Sequence, residues 1–131
     1  MRFLPYVAAL VFVIASGVRA QDPAKTDPDK YAVVFENERV RVLEYRDKPG
    51  EKTTMHRHPA FVLYAFSPFK RTLTLGDGKV LTREFKTGDV MWSEAQTHIG
   101  ENIGKTDTHV LIVELKEPVN KTIQGRKDKS K

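Results

Sequence analysis

The sequence predicts an all-β, single-domain protein built as an antiparallel sandwich or barrel. Three observations carry that prediction. Short runs with a period of two recur at intervals of roughly ten residues, Gly/Pro turn signals separate them, and no segment keeps a helical period. A chain of 131 residues can bury one core unaided. It has no cysteine, which removes disulfides, thiolate metal sites and thiol nucleophiles together.

The elements follow in order. MRFLPYVAALVFVIASGVRA (1–20) has a basic start at Arg2, an apolar stretch from Phe3 to Ile14, and small residues at Val18 and Ala20. That is the pattern of a cleavable secretory signal, and the apolar stretch is short for a retained membrane anchor. Cleavage after Ala20 and export to the periplasm or medium are therefore expected, with no membrane attachment afterwards. Loss of Arg2 and Arg19 takes the formal charge from +5 to +3. Residues 21–30, with two prolines and many charges, read as an exposed lead-in.

From Tyr31, YAVVFENERVRVLEYR reads as two strands around the polar turn Glu36-Asn37-Glu38. In the second run Val40 and Val42 alternate with Arg39 and Arg41. KPGEKT is a turn with Pro49 and Gly50 in the type II arrangement. HPAFVLYAF gives the next strand, broken at Ser67-Pro68. RTLTL and KVLTREF flank GDG as a hairpin, and Lys86-Thr87-Gly88-Asp89 turns the chain into VMWS. THVLIVELK (108–116) is the last strand, which places the domain at 31–117. The tail 118–131 is basic, through Lys121, Arg126, Lys127, Lys129 and Lys131, but has no interleaved aromatics. It reads as a solvated, flexible end with no nucleic-acid partner.

Two histidines, His56 and His58, stand two apart at the mouth of the strand HPAFVLYAF. On an extended chain residues i and i+2 share a face, so the two rings can offer nitrogens to one metal ion. Taken alone, the pair reads equally as surface histidines beside a proline turn. His98 lies forty residues downstream of His58.

The segments GEKTTMHRH (50–58) and GDVMWSEAQTHIGEN (88–102) together resemble the two sequence motifs of the cupins, small antiparallel jelly-roll barrels. The resemblance runs from about Arg41 to Leu115. The run from Asp27 to Lys70 also looks like small single-domain cupins associated with beta-alanine degradation. The resemblance implies that His56, His58 and His98 converge inside the barrel on a divalent transition metal: iron(II), nickel, zinc, copper or manganese. It departs from the family in two places. The glutamate that cupins place four or five residues after the second histidine is replaced by Val62 or Leu63. The proline and glycine usual before the last histidine are replaced by Glu94 and Gln96, and the spacing from Gly88 is one residue shorter.

A three-histidine site without the carboxylate would leave its ion more cationic, with open positions for water, substrate or dioxygen. Glu101 and Glu94 are the carboxylates available to replace the missing ligand or to act as general base. A degenerate barrel whose histidines only bond one another is the plain alternative. Phe61, Tyr64 and Trp92 read as core aromatics, with Trp92 the favoured pocket residue among them. His109 reads as a strand-end histidine touching water, and Arg41 and Glu44 as cross-strand ion pairs. Two functions remain: a metal-dependent oxygenase, isomerase or lyase acting on a small polar or carboxylated molecule, or a non-catalytic module binding a metal or metabolite. Sheet edges left by such a barrel are commonly met by a second copy, so a homodimer is expected.

Overall fold

In a computed structural model the structure describes residues 21–117. The predicted leader 1–20 and basic tail 118–131 lie outside the described residues. What is described is one short helix and nine strands. Helix α1 (Pro23–Thr26) is followed by β1 (Tyr31–Glu36), β2 (Val40–Asp47), β3 (His56–His58) and β4 (Phe61–Ala65). Then come β5 (Phe69–Leu75), β6 (Val80–Phe85), β7 (Val90–Ser93), β8 (Gln96–Asn102) and β9 (Thr108–Leu115). They form two antiparallel sheets, one of order β1-β2-β9-β4-β7 and one of order β3-β8-β5-β6. This is the predicted jelly-roll architecture.

The turns are set by local chemistry. Gly50 and Gly88 take φ of +84° and +88°, the left-handed value that a type II turn requires at its third residue. Glu51 N–H donates to the Lys48 carbonyl (3.0 Å) and Asp89 N–H to the Lys86 carbonyl (3.1 Å), closing both turns. The β5–β6 hairpin closes over the predicted GDG, with Leu75 N–H donating to the Lys79 carbonyl at 2.8 Å.

Between the sheets lies the core: Tyr31, Leu43, Tyr45, Phe61, Leu63, Ala65, Phe69, Phe85, Val110 and Ile112. The face that β2 turns inward is not the valine face. Leu43, Tyr45 and Asp47 are buried and Arg41 is half-buried on that side, while Val42 lies on the outer face with Glu44. Arg41 can point inward because Glu114, its cross-strand partner on β9, meets the charge there.

The lead-in 21–30, expected to be exposed, is partly built into the domain. Asp22 caps α1 by accepting from Ala24 N–H (3.0 Å). Pro23 and Asp27 are buried, and both Asp27 carboxylate oxygens accept from Thr54 N–H, at 3.0 and 3.1 Å. Gln21 bridges to His56 in parallel, which ties this segment to the strand that carries two of the histidines. Among the described residues no helix is long and apolar enough to cross a membrane.

Candidate metal centre

Alternation along two short strands assembles the centre. On β3, exposed Arg57 separates His56 and His58, which are 0% and 1% exposed. On β8, His98, Gly100 and Asn102 face inward and are all buried. Antiparallel register sets His56 directly opposite His98. The three imidazoles offer ring nitrogens that all lie within 4.8 Å of one another.

Each ring is held by its Nδ1. His56 Nδ1–H donates to the Thr54 carbonyl (2.8 Å), His58 Nδ1–H to Glu114 Oε1 (2.7 Å), and His98 Nδ1–H to Gln96 Oε1 (2.7 Å). All three partners are acceptors, so each neutral ring carries its proton on Nδ1 and leaves Nε2 as a lone pair. Two of those lone pairs, His56 Nε2 and His58 Nε2, stand 3.0 Å apart. Two acceptors so placed repel unless a proton or cation lies between them. Metal–nitrogen bonds of about 2.1 Å at a right angle put ligand nitrogens about 3.0 Å apart. The donor set therefore fits one divalent transition ion.

The surroundings disfavour protonation of His56 and His98. Burial, followed by the charge of neighbouring His58, lowers the His56 pKa from 6.5 to about 4. Burial, followed by His56, His58 and Arg71, lowers that of His98 to about 2. Protons are thus disfavoured on two of the three rings an ion would need.

Behind His58 runs a chain of charges. Glu114 Oε2 accepts from Arg41 Nε (2.7 Å), and Arg41 Nη1 reaches Asp22 Oδ2 (2.6 Å). Burial would raise the Glu114 pKa, but the hydrogen bonds from His58 and Arg41 outweigh it and hold the carboxyl below its usual value. An ionised carboxylate on Nδ1 raises the basicity of the imidazole and fixes its orientation, the usual support of a metal-binding histidine.

The predicted carboxylates stand elsewhere. Glu101 follows His98 by an odd number of residues on an extended strand, so it faces away from the ring; opposite Lys52 and Thr72, it is half-exposed. Glu94 is exposed and accepts from Trp92 Nε1 (2.9 Å). Neither is part of the cluster that could hold an ion. Of the two residues at the missing-glutamate position, Leu63 faces inward and lines a cavity with His58 and His98, whereas Val62 lies on the outer face.

Phe61 is buried in the cavity wall. Tyr64 and Trp92, expected in the core, are 40% and 51% exposed, because β4 and β7 turn their even-numbered residues outward. His109 is on the outer face, 2.8 Å from Glu44 and against the Phe66 ring. Sequence reasoning missed Glu114, Tyr31 and Arg71. Tyr31 Oη lies 3.2 Å from His56 Nε2. The signal for Glu114 and Arg71 was present: each is the one charged residue on the inward face of its strand.

No protein-family model matches the chain, and no curated protein does. Solved structures match its fold. A cupin domain from Bordetella pertussis Tohama I is 28% identical, with a TM-score of 0.60, the match covering 66% of this chain and 92% of that one. An RmlC-like cupin protein with a double-stranded β-helix fold from Methanocaldococcus jannaschii is 18% identical, with a TM-score of 0.53 and coverage of 65% and 77%. The polyketide cyclase RemF from Streptomyces resistomycificus is 18% identical, with a TM-score of 0.51 and coverage of 66% and 64%. The chain has the cupin double-stranded β-helix fold, and its three buried histidines are placed to hold a metal ion.

Proposed function

We propose that this protein is an exported, metal-dependent enzyme acting on a small polar or carboxylated molecule. The observation that carries the reading is the convergence of three Nε2 lone pairs whose Nδ1 protons are all engaged. A divalent ion held by His56, His58 and His98 would supply Lewis acidity, and with a redox-active metal also dioxygen chemistry.

The chain's own residues narrow the reaction. The cavity beside the histidines holds about 40 Å³ and is walled largely by apolar side chains such as Phe61, Leu63 and Ile112. No carboxylate lines it among the described residues, so the base role first given to Glu101 or Glu94 has no support. Burial raises the Tyr31 pKa well above its usual value, so its hydroxyl stays protonated. It can donate to an oxygen on which negative charge develops. Oxygenation, or isomerisation or lyase chemistry driven by charge stabilisation, fits this set better than proton abstraction by a carboxylate. The beta-alanine association contributes nothing to this reading.

Protein purified without added chelator should hold close to one transition ion per chain, and its mass should begin at Gln21. His98→Ala should abolish binding, and Glu114→Gln should weaken it by about 10- to 100-fold. Oxygen-uptake and turnover screens with small carboxylic acids then address the activity. Wild-type metal content in a His56→Ala/His58→Ala variant would overturn the site.

A further inference from the structure

Arg71 projects inward from β5 between Phe69 and Leu73 and is 8% exposed. One side of its guanidinium is occupied. Nη2 donates to Tyr45 Oη (3.2 Å), lies 3.6 Å from Asp47 Oδ2, and the group rests over the Tyr45 ring, 5.0 Å from its centroid. Asp47 has its own partners, accepting from the Tyr45 hydroxyl and from Asn102 Nδ2 (3.1 Å). The Nε–H of Arg71 is buried with no acceptor, the one such side-chain atom among the described residues.

A cationic donor buried without a partner is costly, and its persistence points to an acceptor supplied from outside. The fold makes room for it. A Cβ on Gly100 would stand 2.3 Å from Nη2, so the glycine two residues beyond His98 is what lets the guanidinium sit there. Arg71, His58 and His98 line the same cavity. At about 40 Å³ that space accepts a ligand of only a few non-hydrogen atoms.

We infer that Arg71 is an anion-binding residue, whose guanidinium, on the cavity wall, receives the carboxylate of a small organic acid while the other end of that acid faces the three histidines. What that other end meets rests on the metal reading above. The ligand class is a short-chain acid carrying a second oxygen donor, such as a hydroxyl, keto or second carboxyl group. Charge-assisted bonding to a buried guanidinium discriminates the acid from its neutral amide.

The test titrates zinc-loaded and metal-free protein with glycolate, glyoxylate and the neutral glycolamide by calorimetry. Zinc-loaded wild type should bind the acids at least tenfold more tightly than the amide. Arg71→Lys, and the double variant Arg71→Gln/Asp47→Asn that removes both buried charges, should keep their zinc. Both should lose at least tenfold in affinity for the acids while leaving the amide unchanged. Acids bound with wild-type affinity by either zinc-loaded variant overturn the inference, as does a wild type indifferent to charge. If neither variant folds, the Arg71 Nε–H resonance of wild type decides: it should shift as glycolate binds, and a fixed resonance overturns the assignment. A chain that takes no metal defeats the metal reading alone. The same titration and resonance in metal-free protein then still decide Arg71.

Discussion

A neutral imidazole has one proton, and where that proton sits decides what the other nitrogen can do. Thr54, Glu114 and Gln96 each accept from an Nδ1, so each Nε2 is committed to the interior. The same commitment creates a pH dependence. In the unfolded chain His56 and His98 protonate below about 6.5, whereas in the fold their pKa values are lowered to about 4 and about 2. The unfolded state therefore binds more protons below about 6.5, and their contribution is complete above that pH and lost as pH falls toward the folded values. For metal-stripped protein, denaturant unfolding at pH 5.5 should give a stability about 2–3 kcal/mol lower than at pH 7.5. Equal stability at the two pH values would show that these rings are not held neutral. Sequence made the three histidines legible because their spacing carries the information. It read Arg41 as a cross-strand ion pair but did not yield the partner Glu114, because the pair is made between β2 and β9, 73 residues apart.

Strands convey their meaning through parity, and parity explains both what was read correctly and what was not. Strand positions and glycine turns were legible because they depend on neighbours a few residues away. The inward face of β2 was not, since Val40 and Val42 outbid Arg41 on local hydrophobicity and lose to a long-range ion pair. Trp92 failed for the same reason: it sits opposite Val62 on the outer face, so its size says nothing of burial. The place of the missing glutamate is now assigned by parity too. Leu63 shares the cavity with His58 and His98, and Val62 does not. In metal-free protein Leu63→Glu should cost several kcal/mol, because a carboxylate enters an apolar wall. Val62→Glu should cost the isolated protomer about 1 kcal/mol on its half-buried outer face. Added zinc or nickel should raise the melting temperature of Leu63→Glu well beyond the wild-type response and leave that of Val62→Glu at it. Identical metal responses from the two variants would contradict the inward assignment.

At the scale of the whole molecule the five-stranded sheet has two faces, and among the described residues only one is covered. Register places Phe35, Val42, Val113, Val62 and Trp92 directly beside one another across all five strands of its outer face. The ends of that row are open, with Phe35 54% and Trp92 51% exposed. The neighbouring Val90, opposite Tyr64, is 67% exposed. A continuous apolar band of this kind is uncommon on a protein surface that meets only water. Charges flank it in pairs already made, Glu44 with Arg46 and His109 at one side and Lys116 with Glu36 at the other. Two copies apposed by a twofold axis would thus bury the band without stranding a charge, and the self-complementary patch is what an isologous dimer needs. We propose a homodimer formed through this face rather than through the sheet edges. Sedimentation equilibrium should report a dimer for wild type and a monomer for Trp92→Glu/Phe35→Glu, with metal content unchanged because the cavity lies on the opposite side of the sheet. A wild type that remains monomeric at concentrations near 100 μM would leave the band to another partner and end the dimer proposal, since an interface of ordinary size is saturated at about that concentration.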